Sequence, residues 1–218
     1  MTGEIIAAAR SGHTAARRML LLPPAYSRSE DFLREGFADA VRARGLDLDL
    51  VPVELRLESV TDRSVLTQLE RLIATARSDG CVQVWLGGIS LGAYIALALA
   101  ERHPHALDGL CLFAPYLGSH IVTQEIERAG GLASWEPGEL AEDDEERRIW
   151  RFIKTHAHGA LPIHLGLGRE DRFGARHRLL AAALRAEHVD LVPGAHEWPV
   201  WRRLWENFLD ARFADNPA

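Results

Sequence analysis

The sequence predicts an α/β fold, a mainly parallel sheet of about six strands with helices on both faces. Three observations carry it. Short, continuously apolar runs such as Met19 to Leu22, Cys81 to Leu86 and Gly109 to Phe113 read as strands buried on both faces. Stretches with apolar residues at helical spacing alternate with them, which implies right-handed βαβ units. One strand passes directly into a helix through Gly88-Ile89-Ser90-Leu91-Gly92.

Residues 1–17 are weakly patterned, and their short apolar run, Ile5 to Ala9, is compatible with a helix. The first strand, Met19 to Leu22, is ended by Pro23-Pro24. Ser27 with Glu30 has the form of a capping box for a helix that carries Leu33, Phe37, Ala40 and Val41 on one face and stops at Gly45. Leu46 to Leu50 alternates with aspartates and continues through Pro52, the pattern of an edge strand with one wet face. A helix from about Asp62 to Ser78 follows, with Val65, Leu66, Leu69, Leu72, Ile73 and Ala76 as its apolar stripe. After the strand at 81–86 comes a small-residue helix, Leu91 to about His103, stopped by Pro104. The strand at 109–113 closes at Ala114-Pro115. The stretch 116–159, with Gly130-Gly131 and the charged run Glu142 to Arg148, interrupts the rhythm and reads as an excursion outside the sheet. Strands return at Leu161 to Leu167 and Val189 to Val192, with a helix at about 175–186 between them. A last helix, roughly 199–213, buries Trp201, Leu204, Trp205 and Phe208.

At 218 residues, 47% apolar and 26% charged, the chain has the balance of one globular domain, 1–218. A net charge of −6 without a basic stripe argues against a nucleic-acid partner. No run approaches the roughly 18 apolar residues of a membrane span. Met1 to Arg18 has Glu4 early and arginines late, the reverse of a secretory signal, and Cys81 and Cys111 read as free core thiols. A reducing cytoplasm is the expected compartment.

The strand-to-helix junction carries the chemistry. A chain that turns this sharply strains the residue at the apex, Ser90, while Gly88 and Gly92 remove Cβ atoms that would collide. The serine hydroxyl would project above the sheet, beside the Leu91 amide at a helix N-terminus. The plainer alternative is a helix-capping serine. A hydroxyl nucleophile needs a base, and groups in such sheets gather at the carboxyl ends of strands. There the sequence places Asp171, after Gly168, and His196, after Pro193-Gly194-Ala195. Glu170 is the rival to Asp171. His156 and His158 lie in the excursion, too isolated to be metal ligands, and neither metal nor cofactor is expected.

Ser90, Asp171 and His196, in that chain order and with G-x-S-x-G at the elbow, resemble the α/β-hydrolase superfamily over about residues 18–213. His196-Glu-Trp-Pro-Val-Trp201 is similar to small esterases with H-x-W-x-x-W at the last helix. The resemblance implies a serine hydrolase acting on a carboxylic ester of a small to medium substrate, with Ser90 as nucleophile, His196 as base and Asp171 as acid. Where members commonly carry a His-Gly turn, this chain has Pro23-Pro24-Ala25-Tyr26, so the second oxyanion donor beside Leu91 is expected from the amide of Ala25 or Tyr26. A thioesterase or acyltransferase would use the same groups, and a non-catalytic binding protein on the fold is the alternative of another class. The excursion 116–159 is expected either to cap Ser90, its apolar residues shaping a small-molecule acyl site, or to pack on the flank of the sheet.

Overall fold

The computed structural model describes residues 15–213 of the chain, so the Ile5 to Ala9 run lies outside the described residues. Six strands form one parallel sheet in the order β2-β1-β3-β4-β5-β6. They are β1 (Arg17–Leu22), β2 (Leu48–Pro52), β3 (Gln83–Ile89), β4 (Gly109–Phe113), β5 (Ile163–Gly168) and β6 (Val189–Val192). The helices between them are α1 (Asp31–Arg34), α2 (Phe37–Ala43), α3 (Leu57–Thr61), α4 (Ser64–Ser78), α5 (Leu91–Arg102), α6 (His120–Arg128), α7 (Glu145–His156), α8 (Gly174–Ala183) and α9 (Trp198–Phe213).

Alternation along the strands sorts the core into two layers. Met19, Leu21, Trp85, Ile89, Cys111 and Phe113 pack with α2 and α9 on one face. Leu20, Leu22, Val84, Leu86, Leu110 and Leu112 pack with α4, α5 and α7 on the other. The chain steps from β1 outward to β2 and then back across β1 to β3, so the order reverses at β1 and β3. A crevice opens outside the carboxyl ends of strands at such a switch point, and here the loops after β1 and β3 are Pro23–Ser27 and Ser90.

Four expectations need correction. Strand β2 is at the sheet edge, but its polar face is not wet: Asp49 is 1% exposed. The register sets Asp49 beside Arg18, and the two form a buried ion pair at 3.3 Å that Asp79 joins at 2.8 Å. The single helix expected around residues 30–45 is two, broken at Gly36 with φ 76°. Arg202 of α9 fills the space where a Gly36 side chain would sit and donates to the Glu35 carbonyl. No Ser27–Glu30 capping box forms: the cap residue Glu30 makes no side-chain cap bond, and Leu33 is left exposed. Cys81 precedes β3 instead of lying in it, although both cysteines are free and buried.

The stretch 116–159 supplies the crossover between β4 and β5. A parallel β4-to-β5 connection needs an element that covers the sheet, and α7 is that crossover. Ile149, Trp150, Phe152 and Ile153 point inward from it. The charged run is its amino end, where the Asp144 side chain accepts from the Arg147 N–H and Arg148 pairs with Glu101 of α5. Leu132 and Trp135 join the same buried cluster, and Ile121 faces solvent.

His164, at the amino end of β5, is 8% exposed and packed against His188, Phe208 and Trp85. Burial first, then the charges of Arg212 and His188, push it from the ordinary 6.5 down to about 3. The folded value lies below the unfolded one, so the unfolded chain binds the extra proton and stability falls as the pH drops from about 6.5 towards 3. The loss approaches about 1.4 kcal/mol per pH unit for one such group. In denaturant titrations between pH 7 and 5, His164→Gln should show a shallower decline than the wild type; an equal decline would contradict this reading.

Candidate active site

Ser90 stands between β3 and α5 with φ 53° and ψ −110°, a backbone conformation that a β-carbon makes costly. Its surroundings hold it there. The Ser90 N–H donates to the Phe113 carbonyl at 2.9 Å, and its carbonyl accepts from Tyr94 at 3.2 Å and Tyr116 at 3.0 Å. A Cβ on Gly88 would stand 2.3 Å from the Gly92 carbonyl carbon, and one on Gly92 would stand 2.4 Å from the Leu22 carbonyl oxygen. Only glycines allow β1, β3 and α5 to approach so closely. Leu91 is the first residue of α5, so its N–H has no intrahelical partner.

Asp171 lies in the turn between β5 and α8, and its side chain is fully buried. One carboxylate oxygen accepts from the Phe173 N–H at 2.9 Å; the other lies 2.7 Å from His196 Nδ1. A carboxylate only accepts, so Nδ1 carries a proton, and in the neutral ring Nε2 keeps its lone pair. Burial pushes Asp171 up, but the hydrogen bonds from His196 and Phe173, and the charge His196 and His177 carry when protonated, outweigh it. The carboxyl is held below its ordinary range. Glu170 turns the other way and accepts from the Gly194 N–H, tying the loop after β5 to the loop after β6. Gly168 makes that junction possible, since a side chain there would meet the Gly194 carbonyl at 2.3 Å.

A groove of about 340 Å³ joins the pieces, lined by Pro24, Ala25, Tyr26, Ser27, Ser90, Arg172, His196, Glu197, Trp198 and Trp201. The Pro24–Ser27 turn closes with a Ser27 N–H bond to the Pro24 carbonyl at 3.2 Å. Tyr26 takes φ 63° there, with its ring wholly in solvent. His196 is braced edge-on by Trp201 at 5.0 Å and by Phe173 at 5.3 Å. None of the lining comes from 116–159, whose buried Leu132, Trp135, Ile149 and Trp150 pack in the cluster of α5. Sequence reasoning passed over Arg172, Phe173 and His177 as site neighbours, whereas Trp198 belongs to the H-x-W-x-x-W it had singled out. The positions of those three follow from how two loops fold together, and no local pattern marks them.

Among the described residues no group of three or more His, Cys, Asp or Glu side chains is placed to hold a metal ion. No described helix is long and apolar enough to cross a membrane.

Several solved structures share the fold. S-formylglutathione hydrolase of Staphylococcus aureus is 10% identical, over 94% of this chain and 81% of its own, with a TM-score of 0.63. Est1E of Butyrivibrio proteoclasticus is 16% identical over 92% and 89%, at 0.59. The monoacylglycerol lipase of Paleococcus ferrophilus is 14% identical over 91% and 95%, at 0.56. A comparison with curated proteins found no match. The six-stranded parallel sheet with helices on both faces is thus an α/β-hydrolase fold. The Esterase family model matches residues 60–208, more than half of the chain and a span that includes Ser90, Asp171 and His196, and the chain therefore belongs to the Esterase family.

Proposed function

We propose that the protein is a serine carboxylesterase that hydrolyses small to medium esters through Ser90, His196 and Asp171. The observation that carries this is the 2.7 Å contact between the buried Asp171 and His196, which lines the same groove as Ser90 at its strained turn. In this reading His196 Nε2 takes the Ser90 proton as Oγ attacks the ester carbonyl, then gives it to the departing alcohol. Asp171 holds the tautomer and stabilises the imidazolium. The Leu91 amide at the start of α5 and the amide of Ala25 or Tyr26 stabilise the oxyanion. Water, activated by the same imidazole, then releases the acyl group. The groove offers aromatic walls, Trp198 and Trp201, with the polar Ser27, Arg172 and Glu197 among them. Its volume of about 340 Å³ suits a small-molecule ester.

Thioesters present the same carbonyl chemistry, and p-nitrophenyl esters measured against acyl-CoA thioesters separate the two substrate classes. A non-catalytic binder would leave Ser90 unlabelled by a fluorophosphonate.

Ser90→Ala should lower kcat by about three orders of magnitude or more with the fold intact by circular dichroism. Near-normal turnover would remove Ser90 from the mechanism. Asp171→Asn should lower kcat far more than Glu170→Gln, because the asparagine supports the wrong His196 tautomer while Glu170 only ties loops. A larger kinetic loss in Glu170→Gln reverses that assignment.

A further inference from the structure

Behind the Asp171 carboxylate, on α8, lies a second imidazole. His177 is 1% exposed. Its Nε2 is 3.0 Å from the Pro115 carbonyl, which only accepts, so Nε2 carries the proton. Its Nδ1 lies 4.0 Å from Asp171 Oδ1 and is buried without a hydrogen-bond partner. As a neutral ring, His177 therefore turns a bare lone pair towards a carboxylate whose side chain is itself fully buried. That carboxylate already receives the Phe173 N–H on Oδ1 and His196 on Oδ2.

The charged groups felt at His177 are Asp171 from the turn after β5, His196 from the loop after β6 and Arg176 on α8 itself. Burial, the largest influence, opposes the charged ring, as do His196 and Arg176; Asp171 and the Pro115 hydrogen bond favour it. The balance holds His177 below the usual histidine range.

We infer that His177 is a positioning residue for Asp171: fixed by Pro115 as a neutral imidazole, it adds no donor to the carboxylate beyond the Phe173 N–H and leaves Oδ2 to His196. The inference rests on the Ser90–His196–Asp171 mechanism. When the Ser90 proton moves to His196 Nε2, the new imidazolium is stabilised by Asp171, and each donor added to the carboxylate beyond the Phe173 N–H would weaken that stabilisation. No proton passes to His177 in the cycle. A donor placed at its Nδ1 would share the Asp171 charge and weaken the hold of His196 on its proton.

Two variants separate this from a packing role. His177→Gln can keep an amide N–H on the Pro115 carbonyl with nothing at the Nδ1 position. His177→Asn places an amide where Nδ1 stood and offers Asp171 a donor. The acid limb of kcat/KM should stay at the wild-type pH in the glutamine variant and move lower by about one pH unit in the asparagine variant. The kcat of the asparagine variant should fall about tenfold, with KM little changed. Coincident acid limbs in all three proteins would overturn the inference. A long-range ¹H–¹⁵N spectrum of wild type and of Ser90→Ala tests the tautomer without turnover. Near neutral pH it should show His177 neutral with its proton on Nε2, and a proton on Nδ1 overturns the inference. Full activity in Ser90→Ala would instead sink the mechanism while leaving the tautomer result standing.

Discussion

The close approach of three backbones at Gly88, Gly92 and Leu22 is the constraint on which the rest of the site depends. Strand β3 must end, turn and begin α5 while the first turn of α5 rests on the carbonyls of Leu22 and Pro23. The side chain at the apex then has one direction to take, and Ser90 is held in it by bonds from β4 and the loop beyond. The same contact brings the Pro24–Ser27 turn alongside Ser90, so the walls of the groove are fixed by how β1 and β3 pair. A β-carbon at either glycine would separate them, because the atoms it meets are backbone and cannot swing aside.

A second close approach, between the loops after β5 and β6, sets the electrostatics. Gly168 lets the two loops touch, and Glu170 fastens them by accepting the Gly194 N–H. This leaves Asp171, the next residue, turned inward under His196. A fully buried carboxylate would be costly to ionise without donors, and here the Phe173 N–H and the His196 ring supply them. Adjacent acids thus do different work because successive residues leaving a strand face opposite ways. Aromatic edges from Phe173 and Trp201 then limit the swing of the imidazole.

On the α5 side of the sheet the fold relies on a helix that its sequence disguises. Helix α7 closes the β4-to-β5 crossover, yet it opens with acids and arginines, so its first turns read as a solvated run. The charges have partners: Arg147 with Glu125, and Arg148 with Glu101. They fasten α7 to α6 and α5, while Ile149, Trp150 and Ile153 fill the core below. Asp49 was misleading in the same way, since polarity in β2 marks a buried partner, Arg18, and not water.

The sequence by itself determined the six parallel strands, the turn at Ser90 and the identities of Asp171 and His196 as strand-end groups. Those features are written in local pattern: apolar runs of strand length, glycines two residues either side of a serine, and loop residues that follow a late strand. Tertiary structure alone decided which polar residues meet. The register of β1 with β2 buries Asp49 against Arg18, and Arg202 from α9 binds the Glu35 carbonyl at the Gly36 break. The docking of α8 under the loop after β6 places His177 behind Asp171. It also set the apolar residues of α7 against α5. Each of these joins residues far apart in the chain, and hydrophobic periodicity, which reports only what a segment buries, carries no information about which segment it is buried against.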